Sequence, residues 1–299
     1  MKRQITLLDG GMGTELRARG VEVPDHTTSI WSAKALRADP DAIVGVHRDY
    51  IAAGAEVITI NNYMLTPPLL EREGWADQLE ALTLLAVELA QRARDESSTC
   101  VRIAGSLPPL ETSYRADMVG EDEAILGIYR IIAGILAGRV DILLCETMAS
   151  GREAVAAATA AIETGQETWL SWTMQGRTPD RLPSGESLPE VFAAVEQLPI
   201  SAYLVNCCAA NFVTRAMPVL RELTDKPFGG YANGVNFDIE AADSADPSDD
   251  SAWKRLNPQD YAAEVSQWLD AGATLVGGCC GTRPAHIAEL RSGLLGRAA

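Results

Sequence analysis

The chain has 299 residues, 47% apolar and 22% charged, which excludes a disordered or fibrous protein and leaves material for a large core. Its net charge of −16, from 25 basic and 41 acidic residues, repels a phosphate backbone, so no nucleic-acid partner is expected. No apolar run reaches the roughly 18 residues of a membrane span, the N-terminal apolar stretch is too short for a signal peptide, and six cysteines are too sparse for a disulfide scaffold; a cytoplasmic protein with reduced thiols is expected.

Eight short apolar runs follow one another along the chain: Ile5–Leu8, Val57–Ile60, Val101–Ala104, Ile142–Cys145, Trp169–Thr173, Tyr203–Asn206, Phe228–Tyr231 and Thr274–Val276. They lack strict alternation, as strands buried on both faces should. Helix-period segments lie between and after them, over Asp41–Ala53, Ala76–Glu96, Glu121–Leu136, Gly151–Glu163, Leu188–Gln197, Ala210–Leu223, Pro258–Ala271 and Pro284–Leu294. Two of these end in Ala53-Gly54-Ala55 and Ala271-Gly272-Ala273, where glycine suits a left-handed C-cap. The alternation predicts a single-domain α/β protein, a (β/α)8 TIM-type barrel. A doubly wound open sheet competes, but no Gly-x-Gly-x-x-Gly follows the first run.

A barrel places its chemistry at the C-terminal strand ends. The residues where the runs stop are Asp9, Asn61, Asn62, Ser106, Glu146, Asn206, Cys207, Asn233, Gly278, Cys279 and Cys280. In Gly277-Gly278-Cys279-Cys280-Gly281 the glycines let the backbone leave strand geometry, so that adjacent thiols can face one point. The bland alternative is a pair of packed thiols or a vicinal disulfide. The sixth run ends in Asn206-Cys207-Cys208, near the eighth in a barrel, and strand parity leans towards Cys207 as the third thiol. Three thiolates with one open position make a reasonable catalytic zinc site. Cys100 and Cys145 read as core thiols. His26, His47 and His286 are far apart, which points to solvated or capping roles. The six carboxylates between Asp238 and Asp250 lack calcium-loop spacing and read as a solvated loop. There is no P-loop or Gly-x-Ser-x-Gly elbow, and no lysine stands at a strand end for a Schiff base.

Five motifs in order, Asp9-Gly10-Gly11-Met12-Gly13-Thr14-Glu15-Leu16, Cys145-Glu146-Thr147, Asn206-Cys207, Tyr231-Ala232-Asn233-Gly234 and Gly277-Gly278-Cys279-Cys280, resemble the homocysteine S-methyltransferase family over almost the whole chain. Ser29 to Lys34 and Leu182 to Leu188 resemble its bacterial S-methylmethionine-dependent members. The resemblance implies that 1–299 is one homocysteine-binding barrel, with Zn2+ on Cys207, Cys279 and Cys280, and Asp9 and Glu146 on the homocysteine ammonium; Asn233 joins them as a substrate-binding residue. Two small-molecule substrates follow, homocysteine and a methyl-onium donor. Bland readings also exist: a turn or N-cap for Asp9, a buried salt bridge for Glu146. Asn61-Asn62, Ala232 and the Gly105 to Met118 loop depart from the family pattern near the donor side, so S-adenosylmethionine and betaine compete as donors. Trp31, Tyr63 and Tyr114 are the candidate aromatic faces for an onium, with ordinary packing as the alternative. A non-enzymatic zinc- or thiol-binding barrel is the competing class.

Overall fold

The computed structural model of the protein describes residues 4–25, 29–174, 180–238 and 252–295. Its strands are β1 (Thr6–Leu7), β2 (Val57–Thr59), β3 (Arg102–Leu107), β4 (Ile142–Met148), β5 (Glu167–Trp172), β6 (Ala202–Ala209), β7 (Phe228–Asn233), β8 (Val235–Phe237), β9 (Trp253–Arg255) and β10 (Leu275–Gly278). Eight of them pair in parallel in the order β1-β10-β7-β6-β5-β4-β3-β2, and a parallel bridge between Leu8 and Val57 closes the ring. This is the expected (β/α)8 barrel. β8 and β9 form a separate antiparallel ribbon after β7, which the run pattern does not reveal.

The helices that pack outside the barrel have local reasons to start and stop. Asp39 accepts from the Ala42 N–H, with Pro40 opening the Pro40–Ala52 helix. Ser150 caps Gly151–Glu163 and Asn257 caps Pro258–Ala271, which ends at Gly272 in the left-handed region (φ 111°). The helix from Leu188 stops at Ala193, and the one from Pro284 is α-helical only to Glu289, continuing as a π-turn. Four short helical pieces lie outside the expected set: Met12–Ala18, Trp31–Ala38, Pro67–Arg72 and Ala116–Met118. Each is too brief for a periodic pattern.

Strand alternation sorts the core into two layers. Leu8, Val57, Ile142, Leu144, Trp169, Ala202, Leu204 and Leu275 cluster together, while their strand neighbours, such as Leu143, Cys145, Tyr203 and Val205, pack into the larger core with the helices. Cys145 is a core thiol as expected, but Cys100 is exposed, because β3 begins only at Arg102. His47 also departs from expectation. It falls on the apolar face of its helix with Ile43, Val44, Tyr50 and Ile51, fully buried, and neither ring nitrogen has a partner. Burial pushes its pKa down to about 4, so it stays neutral. His286 does cap: its Nδ1 accepts from the Arg283 N–H at 3.2 Å. His26 and residues 239–250 of the acidic stretch lie outside the described residues.

β7 runs between β6 and β10 so closely that a methyl on Gly229 would lie 1.7 Å from the Leu275 carbonyl oxygen. Backbone cannot yield there as a flexible side chain would. Gly229→Ala should therefore destabilise the fold by about 3 kcal/mol or more, read as a lowered midpoint of chemical unfolding. An unchanged midpoint would contradict this packing.

Candidate active site and metal centre

At the C-terminal mouth of the barrel lies a cavity of about 440 Å³. Asp9, Asn61, Glu146, Cys207, Asn233, Gly278, Cys279 and Cys280 line it, as the strand-end rule requires. Asn62, Ser106 and Asn206 do not line it; they serve as braces behind it. Asn62 Nδ2 donates to the Ser106 carbonyl at 2.8 Å, and its Oδ1 accepts from the Ser106 N–H at 3.1 Å.

Asn206 does more. The pairing of β4 with β5 shifts register between Cys145 and Met148, and that of β6 with β7 between Asn206 and Ala209. Each shift is a bulge with one extra residue. Thr147 (φ 61°) and Cys207 (φ 54°) sit in these bulges in the left-handed region, where non-glycine residues are strained. Asn206 spans the two: its Oδ1 accepts from Thr147 N–H (2.9 Å) and Ser171 Oγ (2.6 Å), and its Nδ2 donates to Thr147 Oγ1 (2.8 Å). The bulge turns Cys207 into the cavity, while Cys208 packs into the outer core, where burial pushes its thiol up to about 12. The other two non-glycine residues with positive φ among the described residues, Trp31 and Tyr114, also line the cavity.

The Sγ atoms of Cys207, Cys279 and Cys280 lie within 4.8 Å of one another, and none of the three is in a disulfide, vicinal or otherwise. Of the glycines beside them only Gly281 has positive φ (81°). Gly278 is needed for close approach instead: a Cβ there would meet Thr282 Oγ1 at 2.2 Å, and that hydroxyl donates to the Cys279 carbonyl at 2.7 Å to close the turn. Contacts with the Cys207 and Cys280 thiols, and then burial, push the Cys279 thiol well up. Thiols crowded in this way ionise together only around a cation. Three sulfurs, converging on one point open to a cavity, fit a thiophilic ion such as zinc with one position left for a ligand.

Asp9 and Glu146 face the same cavity, 8% and 6% exposed, and neither has an ion pair among the described residues. Glu146 is thus not in the buried salt bridge that was its bland reading. Asp9 Oδ2 accepts from the Thr59 N–H at 2.8 Å, which ties it to a neighbouring strand end. Tyr231 donates to Glu146 Oε2 at 2.9 Å. Burial pushes Glu146 up to about 7, and burial, with the Glu146 charge adding, holds Asp9 well above the ordinary carboxylate range. Asn233 Oδ1 is buried with no partner. Once ionised, the two carboxylates join the orphaned Asn233 carbonyl oxygen in an acceptor patch complementary to an ammonium group, whose charge offsets the cost of ionising them.

Trp31, Tyr63 and Tyr114 all line the cavity. Tyr63 hydroxyl bonds to Ser113 Oγ (2.8 Å), and Tyr114 hydroxyl lies 2.9 Å from the Cys207 carbonyl oxygen and 3.0 Å from its Sγ. The Trp31 ring is already stacked, with Arg17 Cζ 4.2 Å from a ring centroid. Motif spacing gives no sign that Tyr231, Thr147 and Tyr114 brace the acidic and thiol centre; only contacts across the barrel reveal those roles.

Because the pKa of Glu146 is raised in the folded state, the protonated form is the favoured one. The Glu146 contribution to the stability of the metal-free, ligand-free protein should therefore fall as pH rises from the ordinary value of 4.5 through about 7, alongside separate contributions from Asp9 and, with opposite sign, His47. By about pH 8 the loss reaches about 3 kcal/mol, at 1.36 kcal/mol per pKa unit. Glu146→Gln should remove this contribution and leave those of Asp9 and His47, so that the variant gains stability relative to the wild type between pH 5 and pH 8. Parallel unfolding curves of both proteins at pH 5 and pH 8 would contradict the assigned burial cost.

The family model described as homocysteine S-methyltransferase matches residues 6–294. Homocysteine S-methyltransferase of Escherichia coli is 34% identical, with 97% of this chain and 96% of that protein covered. Homocysteine S-methyltransferase 4 of Zea mays is 32% identical over 94% of this chain and 86% of its own. The crystal structure of the Escherichia coli homocysteine methyltransferase MmuM in its metallated form superposes with a TM-score of 0.80 at 32% identity, covering 98% and 97% of the two chains. The chain belongs to the homocysteine S-methyltransferase family, as a methyltransferase acting on homocysteine.

Proposed function

We propose that this protein transfers a methyl group from a sulfonium donor, S-methylmethionine, to homocysteine, with zinc held by Cys207, Cys279 and Cys280. The observation that carries this reading is the sharing of one cavity by three converging thiols and two buried carboxylates that have no ion-pair partner among the described residues. A ligand that satisfies both must bring a cation at one end and a sulfur at the other, as homocysteine does. Its ammonium pairs with Asp9 and Glu146 and donates to Asn233 Oδ1. Tyr231 fixes the Glu146 carboxylate for this contact, and the Tyr114 hydroxyl steadies Cys207. Zinc supplies the positive charge that keeps the substrate sulfur a thiolate at neutral pH, where a free thiol of pKa near 8.5 is mostly protonated.

The substrate thiolate attacks the methyl carbon as the bond to the donor sulfur breaks, and a neutral thioether departs. No proton must be supplied to that leaving group, and among the described residues no histidine lines the cavity. Tyr63 and Tyr114 offer aromatic surface to the onium, worth about 0.5–2 kcal/mol. No described helix is long and apolar enough to cross a membrane. The low cysteine content, too sparse for a disulfide scaffold, fits a reducing location, the cytoplasm.

Alanine at Cys207, Cys279 or Cys280 should lose zinc and activity together, while Cys208→Ala keeps the metal; metal analysis of the purified variants decides it. Full zinc in Cys207→Ala with loss in Cys208→Ala would reverse the choice of thiol. Asp9→Asn and Glu146→Gln should keep zinc and raise the KM for homocysteine. Loss of one charge-assisted hydrogen bond costs about 1.5–3 kcal/mol, roughly 10- to 150-fold. An unaltered KM in both variants removes these carboxylates from the substrate site. S-methylmethionine should exceed betaine in turnover by at least about tenfold, about 1.4 kcal/mol of barrier, since a thioether leaves more readily than an amine. Equal or faster methionine formation from betaine would overturn the donor and leave the acceptor standing.

A further inference from the structure

Arg17 is the one basic residue lining the cavity among the described residues; the carboxylates there are Asp9, Asp25 and Glu146. Arg17 is held rigidly for a side chain at the rim. Its Nε donates to the Val23 carbonyl at 3.0 Å, and its Nη2 donates to the carbonyls of Val23 (2.8 Å) and Pro24 (3.0 Å). The guanidinium stacks on Trp31. Gly13, four residues earlier on the same helix face, makes room for that indole: a Cβ on Gly13 would sit 2.3 Å from Trp31 Nε1.

A guanidinium carries five N–H donors. The three hydrogen bonds occupy those on Nε and Nη2, and both N–H groups of Nη1 have no acceptor among the described residues. Stacking covers a face of the fork, not its edge, so an in-plane carboxylate can still bind. The same stacking keeps an onium off that face of Trp31, because the guanidinium already lies there and repels a second cation.

We propose that Arg17 binds the carboxylate of the methyl donor, and so selects amino-acid-type onium donors over simple onium cations. This rests on the methyl-transfer reading above. Homocysteine is a poorer claimant for Arg17. Its carboxylate shares a carbon with the ammonium held at the buried Asp9 and Glu146, whereas the Arg17 guanidinium is tied at the rim to the Val23 and Pro24 carbonyls and the Trp31 ring. A donor with its amino-acid end at the rim and its sulfonium inward sets the carboxylate against Arg17 and the sulfonium over the acidic and thiol-lined floor, with its ammonium at the rim, where Asp25 also lines the cavity.

The test compares S-methylmethionine with its methyl ester, which keeps the ammonium and sulfonium and loses the carboxylate charge. With zinc-loaded wild-type protein, KM for the acid should be at least about tenfold below that for the ester. Arg17→Gln should raise KM for the acid by about tenfold and leave KM for the ester and for homocysteine within about twofold. Equal KM values for acid and ester in the wild type, a parallel rise for both in the variant, or a rise confined to homocysteine would each overturn the role of Arg17 and leave methyl transfer intact. The wild-type comparison decides the matter even if the variant folds poorly. Absence of methyl transfer from either donor would instead overturn the methyl-donor reading, and this role with it.

Discussion

Asp9 and Glu146 are buried together with no ion-pair partner among the described residues, and most of the mouth of this barrel is arranged around that imbalance. Burial of an unpaired carboxylate is costly, and the raised pKa values of both groups record the cost. The converging thiols beside them add negative charge once they ionise. Such a pocket is complementary to two positive centres, a metal ion at the sulfurs and an ammonium at the carboxylates. The floor is thus better suited to its ligands than to emptiness, a familiar exchange of stability for function.

The barrel supplies the rigid frame that makes this arrangement tenable. Regular strand alternation would send Cys207 outward, the opposite of the parity expected from the sequence, since Ala202 and Leu204 face inward and Asn206 continues that face. One extra residue in β6 reverses this, and a matching extra residue in β4 follows Glu146. Asn206 bonds to the second bulge from the base of the first, so the thiol and the carboxylate are positioned by a single buried amide. Strained backbone at Thr147, Cys207, Trp31 and Tyr114 is confined to this rim, where the surrounding hydrogen bonds hold it.

Much of this was legible in the sequence. Parallel strands buried on both faces leave dense apolar runs, and all eight were visible, together with the polar and thiol residues at their ends. The Cys279-Cys280 pair announces itself through its glycines. The choice between Cys207 and Cys208 does not, because parity along β6 depends on a bulge that no local pattern encodes. Tyr231 on Glu146 joins residues 85 apart in sequence, and Tyr114 on Cys207 joins residues 93 apart, so neither contact has a spacing to read. The Met12–Ala18 helix is seven residues long and begins in glycines, below what periodicity can detect. His47 was misread as solvated or capping because a lone histidine in a helical segment gives no sign of which face it occupies.

The central claim is that the acidic patch exists to hold the ammonium of a thiol substrate. Calorimetric titration of the zinc-loaded protein with homocysteine and with N-acetylhomocysteine tests it directly, because acetylation removes the positive charge and keeps the thiol. The account predicts that the acetylated compound binds at least about tenfold more weakly in the wild type, and that Glu146→Gln narrows the difference. Equal affinities for the two thiols in the wild-type protein would contradict it.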